Sequence, residues 1–96
     1  MDGVTITQTD LGDHGTYYAH VAGSKFIGRL EWTKHDNVLV VEHTIVPPEI
    51  GGRGIATQLL DAVLADARAQ GFKIDPKCSF AAHKFGQHPE WDELRG

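Results

Sequence analysis

The stretch Val38-Leu39-Val40-Val41-Glu42-His43-Thr44-Ile45-Val46-Pro47-Pro48-Glu49-Ile50-Gly51-Gly52-Arg53-Gly54-Ile55-Ala56 decides how the rest of the chain is read. Val38 to Val46 is the most apolar strand candidate in the sequence, which predicts the centre of a sheet. Pro47-Pro48 must end it, because neither residue has an N–H for a ladder and the second restricts the first to extended geometry. Three glycines follow within four positions, Gly51, Gly52 and Gly54. Ile55, Leu59, Leu60, Val63, Leu64 and Ala67 then recur at helical spacing and predict an amphipathic helix, stopped at Gly71.

Upstream, Val4 to Thr9 alternates apolar and polar residues with period two and reads as a half-buried strand. Leu11-Gly12-Asp13-His14-Gly15 has turn composition. Thr16 to Val21 and Phe26 to Thr33 predict two more strands, and the polar Lys34-His35-Asp36-Asn37 predicts a turn into the strand at Val38. Downstream, Phe72-Lys73-Ile74 reads as a short strand ending at Pro76. Phe80 to Phe85 reads as a short helix, and His88-Pro89-Glu90-Trp91 as the start of a terminal one. The fold class is therefore α+β (mixed α/β): an antiparallel β-meander followed by a β-loop-α-β unit whose returning strand runs parallel at one edge.

A chain of 96 residues predicts a single domain over 1–96. At 41% hydrophobic and 23% charged it is too apolar to stay disordered. Nine basic against 13 acidic residues, with no Lys/Arg cluster, argues against a nucleic-acid or anionic-membrane partner. Val38 to Val41 is the longest apolar run, far short of the ~20 residues that span a bilayer. One cysteine, Cys78, excludes an intramolecular disulfide, and no apolar signal segment opens the sequence, which together predict a reducing, cytoplasmic setting.

The glycines stand where the first helical N–H groups lack partners and the helix dipole is positive, a place for phosphate. Without side chains the backbone approaches an anion closely, and Arg53 adds a charged donor at the rim. Turning a strand-to-helix corner needs one or two glycines; the third favours anion binding. A P-loop is excluded, since no Lys-Ser or Lys-Thr follows a glycine. A dinucleotide fingerprint fits poorly, since Thr57 stands at its third glycine and a meander precedes it. Cys78, His83 and His88 invite a zinc reading, but their spacing offers no common helix face and no fourth ligand, so no metal is expected. Trp32, Trp91, Phe80 and Phe85 read as core or lid residues, because no basic groove accompanies them.

Val46 to Ala56, followed by Leu59-Leu60, resembles the acetyl-CoA-binding segment of the GNAT N-acetyltransferase superfamily, with its Gln/Arg-x-x-Gly-x-Gly/Ala pattern. Gly52 and Gly54 fill the two glycine positions. Glu49 replaces the usual Gln/Arg and Gly51 an Arg, which leaves the diphosphate to backbone N–H groups and Arg53. The likeness extends to a short single-domain (mini-GNAT) branch through His43-Thr44, Pro47-Pro48, Ala67-Arg68, Gly71, Pro76 with Cys78, and Phe85 with His88-Pro89-Glu90. Where that branch commonly has an acidic residue and a Tyr, this chain has Ile45 and Phe80.

The resemblance implies acetyl transfer from acetyl-CoA to an amine: a small molecule, a protein lysine or an N-terminus. Gly51, Gly52, Arg53, Gly54, Ile55 and Ala56 would hold the pyrophosphate, and Ile45 and Val46 the pantetheine arm. An amine of pKa ~10.4 is neutral in only about one molecule in 10³ at pH 7, a handicap of roughly 4–5 kcal/mol, so a base must take its proton. His43 is the first candidate and Glu42 the second; as strand neighbours they should point to opposite faces, so that one of them faces the cleft. The alternative for His43 is a structural, hydrogen-bonded histidine. Cys78 is a proton donor to departing CoA, an acyl carrier, or a small buried hydrophobe. The competing functions are an acyl-CoA-binding module or a protein-interaction domain without transfer, as a monomer or a homodimer.

Overall fold

The structure, a computed structural model, describes residues 3–96. Its strands are β1 (Val4–Asp10), β2 (His14–Val21), β3 (Ile27–His35), β4 (Val38–Ile45) and β5 (Lys73–Asp75), and its helices α1 (Ile55–Gln70) and α2 (Ser79–Gln87). The sheet order is β1-β2-β3-β4-β5; the first four strands pair antiparallel and β5 joins β4 parallel. This is the expected meander with a parallel step at one edge.

β3, not β4, holds the middle position. The apolar run of β4 has another cause: its first half is paired on both sides, with β3 and with β5, and Leu39 and Val41 are fully buried. β2 and β3 also extend further than their composition predicts. His14 pairs with Thr33, and Lys34 N–H bonds the Asp13 carbonyl, so the polar ends are zipped as a ladder. The connection to β4 shrinks to Asp36-Asn37, both left-handed, the geometry of a two-residue hairpin turn. The terminal segment Pro89–Leu94 is 3-10 rather than α-helical. Past it Arg95 bridges to Ile74, and Gly96 N–H bonds the Ile74 carbonyl.

One face of the sheet carries the core. Tyr17, Ala19, Leu30, Trp32, Leu39 and Val41 alternate inward and meet the α1 stripe of Ile55, Leu59, Leu60, Val63, Leu64 and Ala67. At Gly28 the start of α1 comes so close that a Cβ would lie 2.9 Å from Ile55 Cγ2. Tyr17 also donates from its hydroxyl to Asp66 on α1 at 2.7 Å. These contacts fix where the first turn of α1 sits relative to β4.

Candidate functional site

The ladder between β4 and β5 stops at Val40 opposite Asp75, after which Pro76 has no N–H to offer. One further link, Cys78 N–H to the Val41 carbonyl at 2.9 Å, closes the gap's inner end. Beyond it the chains part. The opening is a cleft of about 490 Å³ between the second half of β4 and the start of α2, within the roughly 300–1,000 Å³ of small-molecule sites.

A register shift shapes its lining. Leu30 faces Thr44 and Glu31 faces His43, but Trp32 faces Val41, so Glu42 is an extra residue, a bulge in β4. Directly opposed residues share a face. Val41 therefore joins Trp32 on the α1 side, whereas His43 joins Glu31 on the other. Glu42 reaches that other face too, accepting a hydrogen bond from the Thr33 hydroxyl at 2.7 Å. The expectation that only one of Glu42 and His43 can face the cleft is thus overturned: the bulge breaks the alternation, and both line it.

Glu42 is held from two directions, by Thr33 and by the Lys77 ammonium at 3.3 Å. The Thr33 hydrogen bond and then Lys77 hold its carboxyl below the ordinary glutamate value, which makes it a poor proton acceptor and a good anchor for positive charge. His43 is exposed, and no hydrogen bond fixes its ring among the described residues. The α1 face of the cleft is different. Thr44, opposite Leu30, brings its hydroxyl to 3.5 Å from Cys78 Sγ. That sulfur is half-buried and caps α2, accepting the Ala81 N–H at 3.4 Å. Phe80 supplies apolar wall, and Ile45, 39% exposed and paired with Arg29, adds to it from the face that carries His43.

The glycine loop lies further along, after a 3-10 turn at Pro48–Ile50 that buries Ile50. Gly51 to Gly54 are all exposed, and Gly52 and Gly54 have φ of +73° and +70°. No side chain caps the first turn of α1, and no acidic residue sits in it, so its N–H end is electrostatically open to an anion. The Ile55 side chain goes into the core, leaving its amide for a ligand, and Val46 packs against the core as well.

Glu42, His43, Ile45 and Cys78 thus meet at one cleft, while Gly51 to Gly54 form a separate loop that leads into Ile55 and Ala56 in the first turn of α1. Thr44, named above as part of the resemblance, and Lys77 also line the cleft, though neither drew a site role from the sequence. Lys77 is signalled by its place between Pro76 and Cys78; for Thr44 the signal is its position next to His43. His83 is exposed, and His88 bonds Glu90 at 2.9 Å and stacks on Trp91. Among the described residues no three His, Cys, Asp or Glu converge as a metal site.

A family model of GCN5-related N-acetyl-transferases matches residues 16–94. A GCN5-like candidate N-acetyltransferase from Staphylococcus aureus, solved in solution, is 26% identical with a TM-score of 0.71, over 100% of this chain and 91% of that one. A GNAT family acetyltransferase from Elizabethkingia anophelis, crystallised with acetyl-CoA bound, gives a TM-score of 0.66 at 17% identity, over 93% of this chain and 76% of that one. No curated protein matches the sequence significantly. With that family model spanning residues 16–94, most of the chain, this protein belongs to the GCN5-related N-acetyltransferase family.

Proposed function

We propose that this protein transfers an acetyl group from acetyl-CoA to a primary amine, with the acyl donor entering the cleft from the α1 side and the amine from the opposite face. The observation that carries the reading is the bulge at Glu42, which sets a Thr44–Cys78 pair on one side of the gap and Glu42 with His43 on the other. The diphosphate rests on the amides of Gly52, Arg53, Gly54, Ile55 and Ala56, with Gly51 shaping the approach and Arg53 closing the rim. The pantetheine arm runs beside Ile45 and Val46, where β4 has no strand partner on its outer side.

In the gap, His43 takes the proton of the incoming amine. The amine nitrogen bonds to the thioester carbon, the C–S bond breaks, and the Cys78 thiol protonates the departing CoA sulfur. Glu42, already ionised, holds positive charge near the acceptor and helps select a cationic amine. A small amine, a protein lysine or an N-terminus meets these requirements. The lone cysteine favours a cytoplasmic, reducing setting; among the described residues no helix is long and apolar enough to cross a membrane.

The test is calorimetric titration with CoA, followed by measurement of free CoA release from acetyl-CoA across a panel of amines. Saturable binding and amine-dependent release are expected. No binding at millimolar CoA would overturn the reading. Binding without release for any amine would leave a CoA-binding module.

A further inference from the structure

Lys77 lines the same cleft as Glu42, His43, Thr44 and Cys78, and the function just proposed gives it no task. Its root is fixed at the mouth of the gap: its N–H bonds the Asp75 carbonyl at 2.9 Å, and the next N–H, that of Cys78, bonds Val41. Its side chain is 66% exposed, and its ammonium stands 3.3 Å from Glu42 on the face that carries His43. The carboxylate that docks it is itself anchored by Thr33. A primary amine therefore already occupies the acceptor side of the cleft.

We infer that Lys77 is an acyl acceptor in its own right: the protein acetylates this side chain from acetyl-CoA bound in the cleft, an inference that rests on the function proposed above. A tethered amine needs no association step, and well-oriented intramolecular partners reach effective molarities of about 10⁵ M or more. No other lysine lines the cleft. Lys25, Lys34 and Lys84 lie over the rings of Phe26, Phe72 and Phe80, and Lys73 is bonded to the Glu93 carbonyl.

In the step, the Lys77 nitrogen bonds to the acetyl carbon and the thioester C–S bond breaks. Of the two protons the ammonium sheds on becoming an amide, one leaves through His43 to solvent. The other is balanced by the proton that the Cys78 thiol gives to the CoA sulfur and regains from solvent. Products are N-acetyl-Lys77, CoA thiol and one released proton. The modified side chain is neutral, so Glu42 loses its internal cation and is left open to an external one.

The experiment incubates the full chain with acetyl-CoA and no added amine, then maps acetylation by peptide mass spectrometry. Native protein is expected to acquire label at Lys77 at least about tenfold faster than at Lys25, Lys34, Lys73 or Lys84. The label should resist hydroxylamine, as an amide does, and the preference should vanish in urea. Lys77→Arg should lose the label while still binding acetyl-CoA by calorimetry. Labelling of Lys77 at the pace of the other four, or a hydroxylamine-labile label on Cys78 alone, overturns the inference in a protein that binds acetyl-CoA. A wild-type chain that binds no acetyl-CoA sinks the parent reading instead, and this one with it.

Discussion

Gly52→Ala separates the phosphate reading of the glycine loop from its structural role, because the same fold supplies a matched control at Gly71. Both residues are exposed, with φ of +73° and +82°, and a Cβ at either would meet nothing within 4 Å. Neither substitution clashes, so each costs the left-handed penalty of an L-residue, about 1 kcal/mol. For a chain of this size that lowers Tm by about 4–8 °C in both variants. Only Gly52 lies ahead of α1, where its substitution crowds the approach of an anion to the open amides. Loss of one charge-assisted hydrogen bond, about 1.5–3 kcal/mol, weakens CoA binding about 10- to 150-fold. Thermal unfolding of the apo proteins and calorimetry with CoA read the two effects separately. Equal affinity in Gly52→Ala and Gly71→Ala, at matched loss of Tm, would refute the placement of the diphosphate.

Other outcomes follow from the cleft and the core. A carboxyl depressed by Thr33 and Lys77 contributes stability that is present above its unfolded value and lost as pH falls through its folded one. The Tm gap between wild type and Glu42→Gln should therefore be widest above about pH 4.5, the ordinary glutamate value, and close below it; a gap unchanged through the acid range contradicts the ion-pair account. His43→Ala should leave folding and CoA affinity intact and lower kcat/KM for the amine about 10²- to 10⁴-fold. Cys78→Ser keeps a helix cap, so Tm should hold while kcat falls about 10²-fold; unchanged turnover makes the thiol structural. Leu59→Ala, at a fully buried position, should cost about 2–5 kcal/mol in urea unfolding, a large share of a typical 5–15.

The helix and the loop before it were legible because each depends on short-range chemistry. The stripe from Ile55 to Ala67 repeats at helical spacing, Gly71 ends it, and Pro47-Pro48 stops β4 for want of N–H groups. Strand order was less legible. Hydrophobicity ranks β4 first, but β5 is three residues long and, among the described residues, only the bridge to Arg95 lies beyond it, so β4 stays near one edge. The facing of Glu42 and His43 could not be read at all, since an alternation rule has no means of sensing an inserted ladder residue. Lys77 escaped notice for a related reason: its significance lies in a partner 35 positions away, brought close only when β5 docks on β4.

The extra residue in β4 also divides labour along a single strand. Ahead of position 42, Leu39 and Val41 answer to packing against α1; just after it, His43, Thr44 and Ile45 line the opening. Each half can then drift under its own demand: a family of such chains could exchange acceptors by rewriting positions 43 and 45, on the face away from α1, without loosening the interior. A strand in strict alternation would have coupled the two, making every change of chemistry a change of stability.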